Sequence, residues 1–291
     1  MSNYLGIIFA FVALLSWGFG DFFIQRTARA VGIWKALFFI GIVGFITLLP
    51  FVKNEIINLD ANSLILLVVL GIVVVFSSLF YFEALKRGKI AVIEPLLGLE
   101  LPITVGLSMS LQKEHLTLIQ LVSIGVVFVG IVLTITAHHT YLHYHQRIFE
   151  KGVILAGIGA IGMALTNFLT GVSSQQISPL TTIWFAHSSL AVVCAIYLTY
   201  KGGFRTILSD LRDNPKPIIG QSILDNIAWI MFALATTLIP ISIATTISES
   251  YIALAVLLGI SINRERLRIH QIVGIVLAVS GIIALSAFTV N

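Results

Sequence analysis

Apolar residues run through this chain in blocks of roughly twenty, separated by short polar stretches that together leave little of the 291 positions outside a block. A block of about 20 residues wound as a helix crosses a hydrocarbon core about 30 Å thick. The pattern predicts ten such helices, over 4–25, 32–52, 63–85, 90–111, 117–137, 152–173, 179–200, 217–238, 241–262 and 268–288. The breaks fall at turn-forming residues: Pro50, Asn54, Asn58 and Asp60 before the third block, Gly88 before the fourth, and Gly202-Gly203 with Asp213-Asn214-Pro215 before the eighth.

The pattern also repeats. At a constant shift of 151 positions, Gln112-Lys113-Glu114 meets Asn263-Arg264-Glu265, Leu116 meets Leu267, Gln120 meets Gln271, and Gly130 meets Gly281. The first block returns at a shift of 146, where Gly6 meets Gly152, Ala10 meets Ala156 and Asp21-Phe22 meets Asn167-Phe168. A fixed shift that keeps a polar corner, its apolar spacing and a glycine points to duplication rather than shared hydrophobicity. The chain divides into a first five-helix unit over 1–137, a polar, histidine-rich linker over 138–151, and a second five-helix unit over 152–291. Five is odd, so the second unit enters the membrane from the opposite side. Inverted repeats of this kind are a mark of secondary transporters, with substrate held near the midplane between the halves.

Composition agrees. The chain is 58% hydrophobic and 10% charged, with a mean hydropathy of +1.03, whereas soluble domains carry about 25% charged residues. The fold class expected is an all-α polytopic membrane protein, ten transmembrane helices in two inverted five-helix repeats, surrounded by the lipid bilayer. No basic stripe interleaved with aromatics suggests nucleic acid. The single Cys194 cannot close an intrachain disulfide. The first block lacks a basic leader and a small-residue cleavage site, so it reads as a retained helix.

Net charge matters less than its placement. Of the 17 Lys and Arg residues, only Lys53 and Lys113 fall in even-numbered connections. The rest, including Arg26, Lys86, Arg147, Arg205 and Arg264, lie in odd ones. The bias puts the odd connections in the cytoplasm and both termini outside a cell membrane.

Ionisable residues inside the blocks are the sharpest chemical signal, because a charge at the bilayer centre costs about 2.5–3.5 kcal/mol on insertion scales. Glu100, His187, Asp225 and Glu249 each lie several residues from a helix end. Glu100, Thr104 and Ser108 form one polar stripe, and Ser242, Thr245, Thr246 and Glu249 another. Asp225 adds Asn226 and Gln221 on the eighth block, and His187 stands beside Ser188 and Ser189. These residues could line a central site for a cationic or zwitterionic substrate or for protons, or could hydrogen-bond neighbouring helices for structure alone. Asp21, Glu83 and Glu94 lie near basic corners and could instead pair there with Arg26, Lys86 or Lys89. Pro95 and Pro102 flank Glu100 as potential kinks. Trp17, Tyr81, Trp184, Trp229 and Tyr251 could form an aromatic wall, with packing or an interfacial belt as the plainer alternative. Tyr251, at the repeat position of Glu100, stands out among them. His139 and His143 could share a metal only if the linker is helical, and no metal site is assigned. Glu114 and Glu265 read as groups that satisfy helix ends or pair with neighbouring basic residues.

The arrangement resembles the drug/metabolite transporter superfamily, and its EamA-type carriers in particular. Ser16-Trp17-Gly18 with Asp21, Ala84-Leu85-Lys86-Arg87-Gly88, Leu99-Glu100-Leu101-Pro102, the corners Glu114-His115-Leu116 and Glu265-Arg266-Leu267, and the pairs Gln120/Gln271 and Gly130/Gly281 carry the likeness. The family's corner usually reads Gly-Glu-Arg-Leu, where this chain has Lys113 or Arg264 before the glutamate. Its ten-helix members are often drawn with both termini in the cytoplasm, against the charge count. The resemblance implies a secondary carrier of a small metabolite, an amino acid or related amine or zwitterion, often exported and sometimes proton-coupled. No phosphate-binding glycine loop, His-Glu-x-x-His or nucleophile elbow is present, so neither an enzyme nor a cofactor is expected. An intramembrane enzyme or sensor and a channel are the competing classes. Oligomeric state has no signal in the sequence.

Overall fold

Each apolar block is mainly helical where its residues are described, because a chain in hydrocarbon must satisfy every peptide group within its own segment. The structure, a computed structural model, describes residues 2–87, 97–135, 151–251, 254 and 269–290. Among these are eleven α-helices and no strand. They are α1 (Ser2–Val31), α2 (Ile33–Ile57), α3 (Ala61–Arg87), α4 (Glu100–Leu111), α5 (Leu118–Ile135), α6 (Lys151–Gln176), α7 (Pro179–Tyr200), α8 (Ile207–Asp213), α9 (Pro215–Thr236), α10 (Ile241–Glu249) and α11 (Ile269–Val290). Seven of them, α1, α2, α3, α6, α7, α9 and α11, are long and apolar enough to cross a membrane. The fourth and ninth predicted spans are described only in part, as α4 and α10, and the fifth as the shorter apolar α5. Glu94, the histidine linker and the Arg264-Glu265-Arg266 corner lie outside the described residues.

The helix ends differ from the hydropathy pattern in instructive ways. The first basic corner is no loop: α1 and α2 meet at Gly32 alone, whose φ of 87° is a conformation that side chains with a Cβ resist. Arg26, Arg29 and Lys35 therefore ride on helices. Pro50 does not end α2, which continues to Ile57; a transmembrane proline is tolerated where local adjustments satisfy the freed carbonyl. Its far end is held by Glu55, which accepts a hydrogen bond from the Thr181 hydroxyl near the start of α7. Asp60 accepts from the Asn62 amide. A hydrogen bond from the Ser63 side chain chiefly holds its carboxyl below the usual aspartate range. Pro102 is no kink either. It sits in the first turn of α4, where a missing N–H is harmless.

The connection between α7 and α9 holds structure that its turn residues did not announce. A short 3-10 turn, Gly203–Thr206, leads into α8. Lys35 on α2 pins this segment by an ion pair to Asp210 and a 2.6 Å hydrogen bond to the Thr206 hydroxyl. The rings of Phe38 and Phe204 meet edge-on at 5.3 Å, and Trp34 stacks on Tyr197 at 3.8 Å.

Packing crosses between the two sequence halves throughout. The most extensive contacts are α1 with α9, α3 with α6, α2 with α7, and α5 with α11. Exchanging each helix for its counterpart in the other half (α1 for α6, α2 for α7, α3 for α9, α4 for α10, α5 for α11) returns the most extensive contacts, including α1 with α10 against α6 with α4. Where α5 meets α11, the repeat-related Gly130 and Gly281 bring the backbones together. A Cβ on Gly130 would lie 2.5 Å from the Ala278 nitrogen, and one on Gly281 2.7 Å from Val127. The N-terminal end of α1 and the C-terminal end of α11 also meet, through a 2.8 Å bond from the Asn3 amide to the Thr289 carbonyl. Ile65, Ile72, Phe76, Val122, Val276 and Ile283 stay exposed on the outside, an apolar surface suited to lipid rather than water.

Candidate functional site

Four carboxylic acids converge inside this bundle. Asp21 on α1, Glu100 at the start of α4, Asp225 on α9 and Glu249 at the end of α10 line one central cavity, with His187 of α7 and Tyr251. Glu100 and Glu249 are 2% and 4% exposed, so neither reaches water along its own side chain. Both described helices terminate at their carboxylate: Glu100 lies in the first turn of α4, and Glu249 is the last residue of α10.

Three groups of side chains make up the polar lining. The carboxyls of Glu100 and Glu249 face each other, and Glu249 accepts a 3.0 Å hydrogen bond from the Asn167 amide of α6. A carboxylate only accepts, so a bond between two carboxyls requires a proton on one of them. Second, Tyr81 of α3 lies 3.0 Å from the Tyr251 hydroxyl and donates to Asp21 at 3.4 Å; Tyr251 also bonds to Asp21. Third, His187 Nε2 stands 3.8 Å from Asp225, His187 and Asn226 both face the bare Gly44 backbone, and Trp229, one turn from Asp225, lies beside its carboxyl. Asn226 is itself fixed by donating to the Ile40 and Ser222 carbonyls at 3.1 and 2.8 Å.

Trp17 joins these groups into one wall. Its ring lies edge-on to Trp229 at 5.0 Å and 6.1 Å from Tyr251. Trp184, expected in the same wall, is elsewhere: its indole N–H donates to the Phe45 carbonyl at 3.2 Å, and its ring packs on Phe45. Asp21 does not pair with the basic corner but turns inward to the two tyrosines. The structure thus brings together Asp21, Glu100, His187, Asp225, Trp229, Glu249 and Tyr251, while Glu94 lies outside the described residues. Asn167 was not among the expected site residues. The signal for it was present, since the repeat aligns it with Asp21.

No lysine or arginine lines the cavity among the described residues. Its free space, about 50 Å³ open to the centres of water molecules, would hold a few waters at about 10–15 Å³ each. Among the described residues, no three metal-ligating side chains gather as a metal site would need.

The acidic corner glutamate has a different task. Glu114 accepts from the Ser242 amide at 3.1 Å and also from the Ile241 amide and the Ser242 hydroxyl. It therefore caps α10, a helix of the other sequence half.

Comparisons with known proteins fit this arrangement. Residues 4–136 and 150–287 each match the sequence model of the EamA-like transporter family. An uncharacterized protein of Methanocaldococcus jannaschii is 32% identical over 129 residues, 44% of this chain but 93% of that protein. A crystal structure carrying no functional description superposes with a TM-score of 0.69 over 98% of this chain and 99% of its own, at 17% identity, and so shares the fold.

Proposed function

We propose, from the premise that this chain belongs to the EamA-like transporter family and is a multi-pass membrane transporter of the drug/metabolite type, that it carries a small amine-bearing metabolite in exchange for protons. The observation that carries this reading is the central cavity with four carboxylic acids and no lysine or arginine among its described lining residues. Buried carboxylates must be protonated or meet a cation. An ammonium group meets that need, and aromatic faces such as Trp17 and Trp229 favour a cation as well. An amino acid fits if its ammonium end faces the acids and its carboxylate finds hydroxyl or amide donors such as Thr166, Thr170 and Asn167. The pair Glu100 and Glu249 holds a proton that an incoming ammonium displaces and a departing one restores.

The carrier works by alternating access between two inverted five-helix units, ten helices in all. Two features support this: the most extensive contacts are retained when the halves are exchanged, and a related protein matches over about one such unit. The small free space supports a closed site that must open toward either side to load or release a metabolite. Charge placement puts the odd connections in the cytoplasm and both termini outside, with export as the direction that the resemblance favours.

Reconstituted protein should show saturable, pH-gradient-dependent flux when a panel of radiolabelled amines and amino acids is tested. Glu100→Gln and Glu249→Gln should each reduce that flux to background while leaving the elution profile and melting temperature near wild type. Full flux in both variants would remove the pair from the site.

A further inference from the structure

A seam between α4, α6 and α10 holds a row of buried polar atoms that continues outward from the central cavity, whose wall its inner members Asn167 and Thr170 share. Glu100, Thr104 and Ser108 share one face of α4; Ser242, Thr245 and Glu249 share one face of α10; Asn167, Thr170 and Ser174 share one face of α6. These faces meet. Thr104 donates to the Ala164 carbonyl at 3.2 Å, Asn167 donates to Glu249, and Gly171 backs directly onto Ile241.

Within the seam, the hydroxyl oxygens of Ser108, Thr170, Ser173, Ser174 and Thr245 and the side-chain oxygen of Asn167 are buried without a hydrogen-bond partner among the described residues. All six residues are at most 3% exposed. This is not simply how helix hydroxyls behave here. Thr27, Thr47, Ser123, Ser188 and Ser222 each donate to the carbonyl one turn back. A buried polar atom left unsatisfied costs about 1–3 kcal/mol, and several in one seam imply that another polar species serves them.

The seam has two ends. The inner end is the Glu100–Glu249 pair, which also faces Asp21 and Tyr251 and shares the cavity with Asp225 and His187. The outer end is Glu114, bonded to Ser242, beside an open polar hollow lined by Gln112, His115, Gln175 and Thr237. We propose that the seam is a proton path: hydroxyls and the waters they hold carry protons between the outer surface and the carboxyl pair. It reaches the cavity from the outer side, past Asn167 and Thr170 on the cavity wall. A hydroxyl both donates and accepts, so each passes on one proton as it receives another and ends unchanged. One proton leaves water at the outer end and one arrives on a carboxylate at the inner end. The proposal rests on the reading of the pair as the exchange site, and supplies the route by which its proton is replaced.

The test needs no substrate. Protein of uniform orientation in liposomes is exposed to a rapid external pH drop, and the infrared band of protonated carboxyls is followed in time. Wild type should gain a band that Glu100→Gln and Glu249→Gln each diminish. Thr245→Val and Ser174→Ala should keep its amplitude but slow its appearance at least tenfold, with Ser108→Ala as a second, smaller deletion. Thr182→Val removes a buried hydroxyl on α7 that is likewise unpartnered among the described residues but lies off the seam, and should keep the wild-type rate. Wild-type rates in all three seam variants, with a normal band, would sink the path alone. No band in wild type would sink the exchange reading beneath it. Loss of the band on adding sodium chloride at constant pH would make the seam a cation site and overturn the proton path.

Discussion

The corner residues Lys113 and Glu114 show what single positions contribute. Lys113 adopts a φ of 54°, where a Cβ is strained by about 1–2 kcal/mol, and it occupies the place that the family's usual corner gives to glycine. Lys113→Gly should therefore raise the melting temperature in detergent, with the gain limited to about 1 kcal/mol because glycine also loosens the unfolded chain. Glu114→Ala should lower stability by about 1–2 kcal/mol, the usual worth of a helix cap. An unchanged melting temperature in Glu114→Ala would mean that the α10 end finds other partners. The departure from the family corner was legible in the sequence, as was a helix-end role for Glu114. Which helix it would serve was not, because local spacing says nothing about a contact 127 positions away.

At the scale of elements, hydropathy located the long described helices because a membrane leaves the backbone so few choices. It misplaced their ends for the same reason: an apolar run does not stop where its helix stops. Pro50 remained inside α2, and α8 was overlooked because seven residues carry too short a pattern to read. The repeat proved the better guide to packing. It had paired Gly130 with Gly281 before any contact was known, and these residues bring α5 and α11 together. Gly130→Ala should cost about 1–3 kcal/mol from overpacking against the Ala278 backbone. Gly125→Ala on the same helix, where an added methyl meets nothing within 4 Å, should be neutral. Equal melting temperatures for the two variants would show that α5 and α11 can separate freely.

For the whole molecule, the sequence indicated the class and, through intramembrane charge, the four acids and the histidine that face the cavity. It could not divide them into groups, and it placed Trp184 with the others because an aromatic residue in a span looks the same whether it faces a cavity or a neighbouring helix. Sidedness can be tested directly. Cys194 is fully buried, so the native chain is a quiet background for thiol labelling. His115→Cys should react with an impermeant maleimide applied to intact cells, and Arg205→Cys only after the membrane is opened. The reverse pattern would invert the topology and the direction assigned to the proton path.

The exchange of partners between halves has a consequence for biogenesis. During synthesis α1 and α3 leave the insertion machinery long before α9 and α6, the helices they pack against, and α10 has no cap until it finds Glu114. The first half therefore meets the lipid with its polar faces unmatched until the second half arrives. Substitutions along those faces would then reduce the yield of inserted protein even where the finished carrier tolerates them.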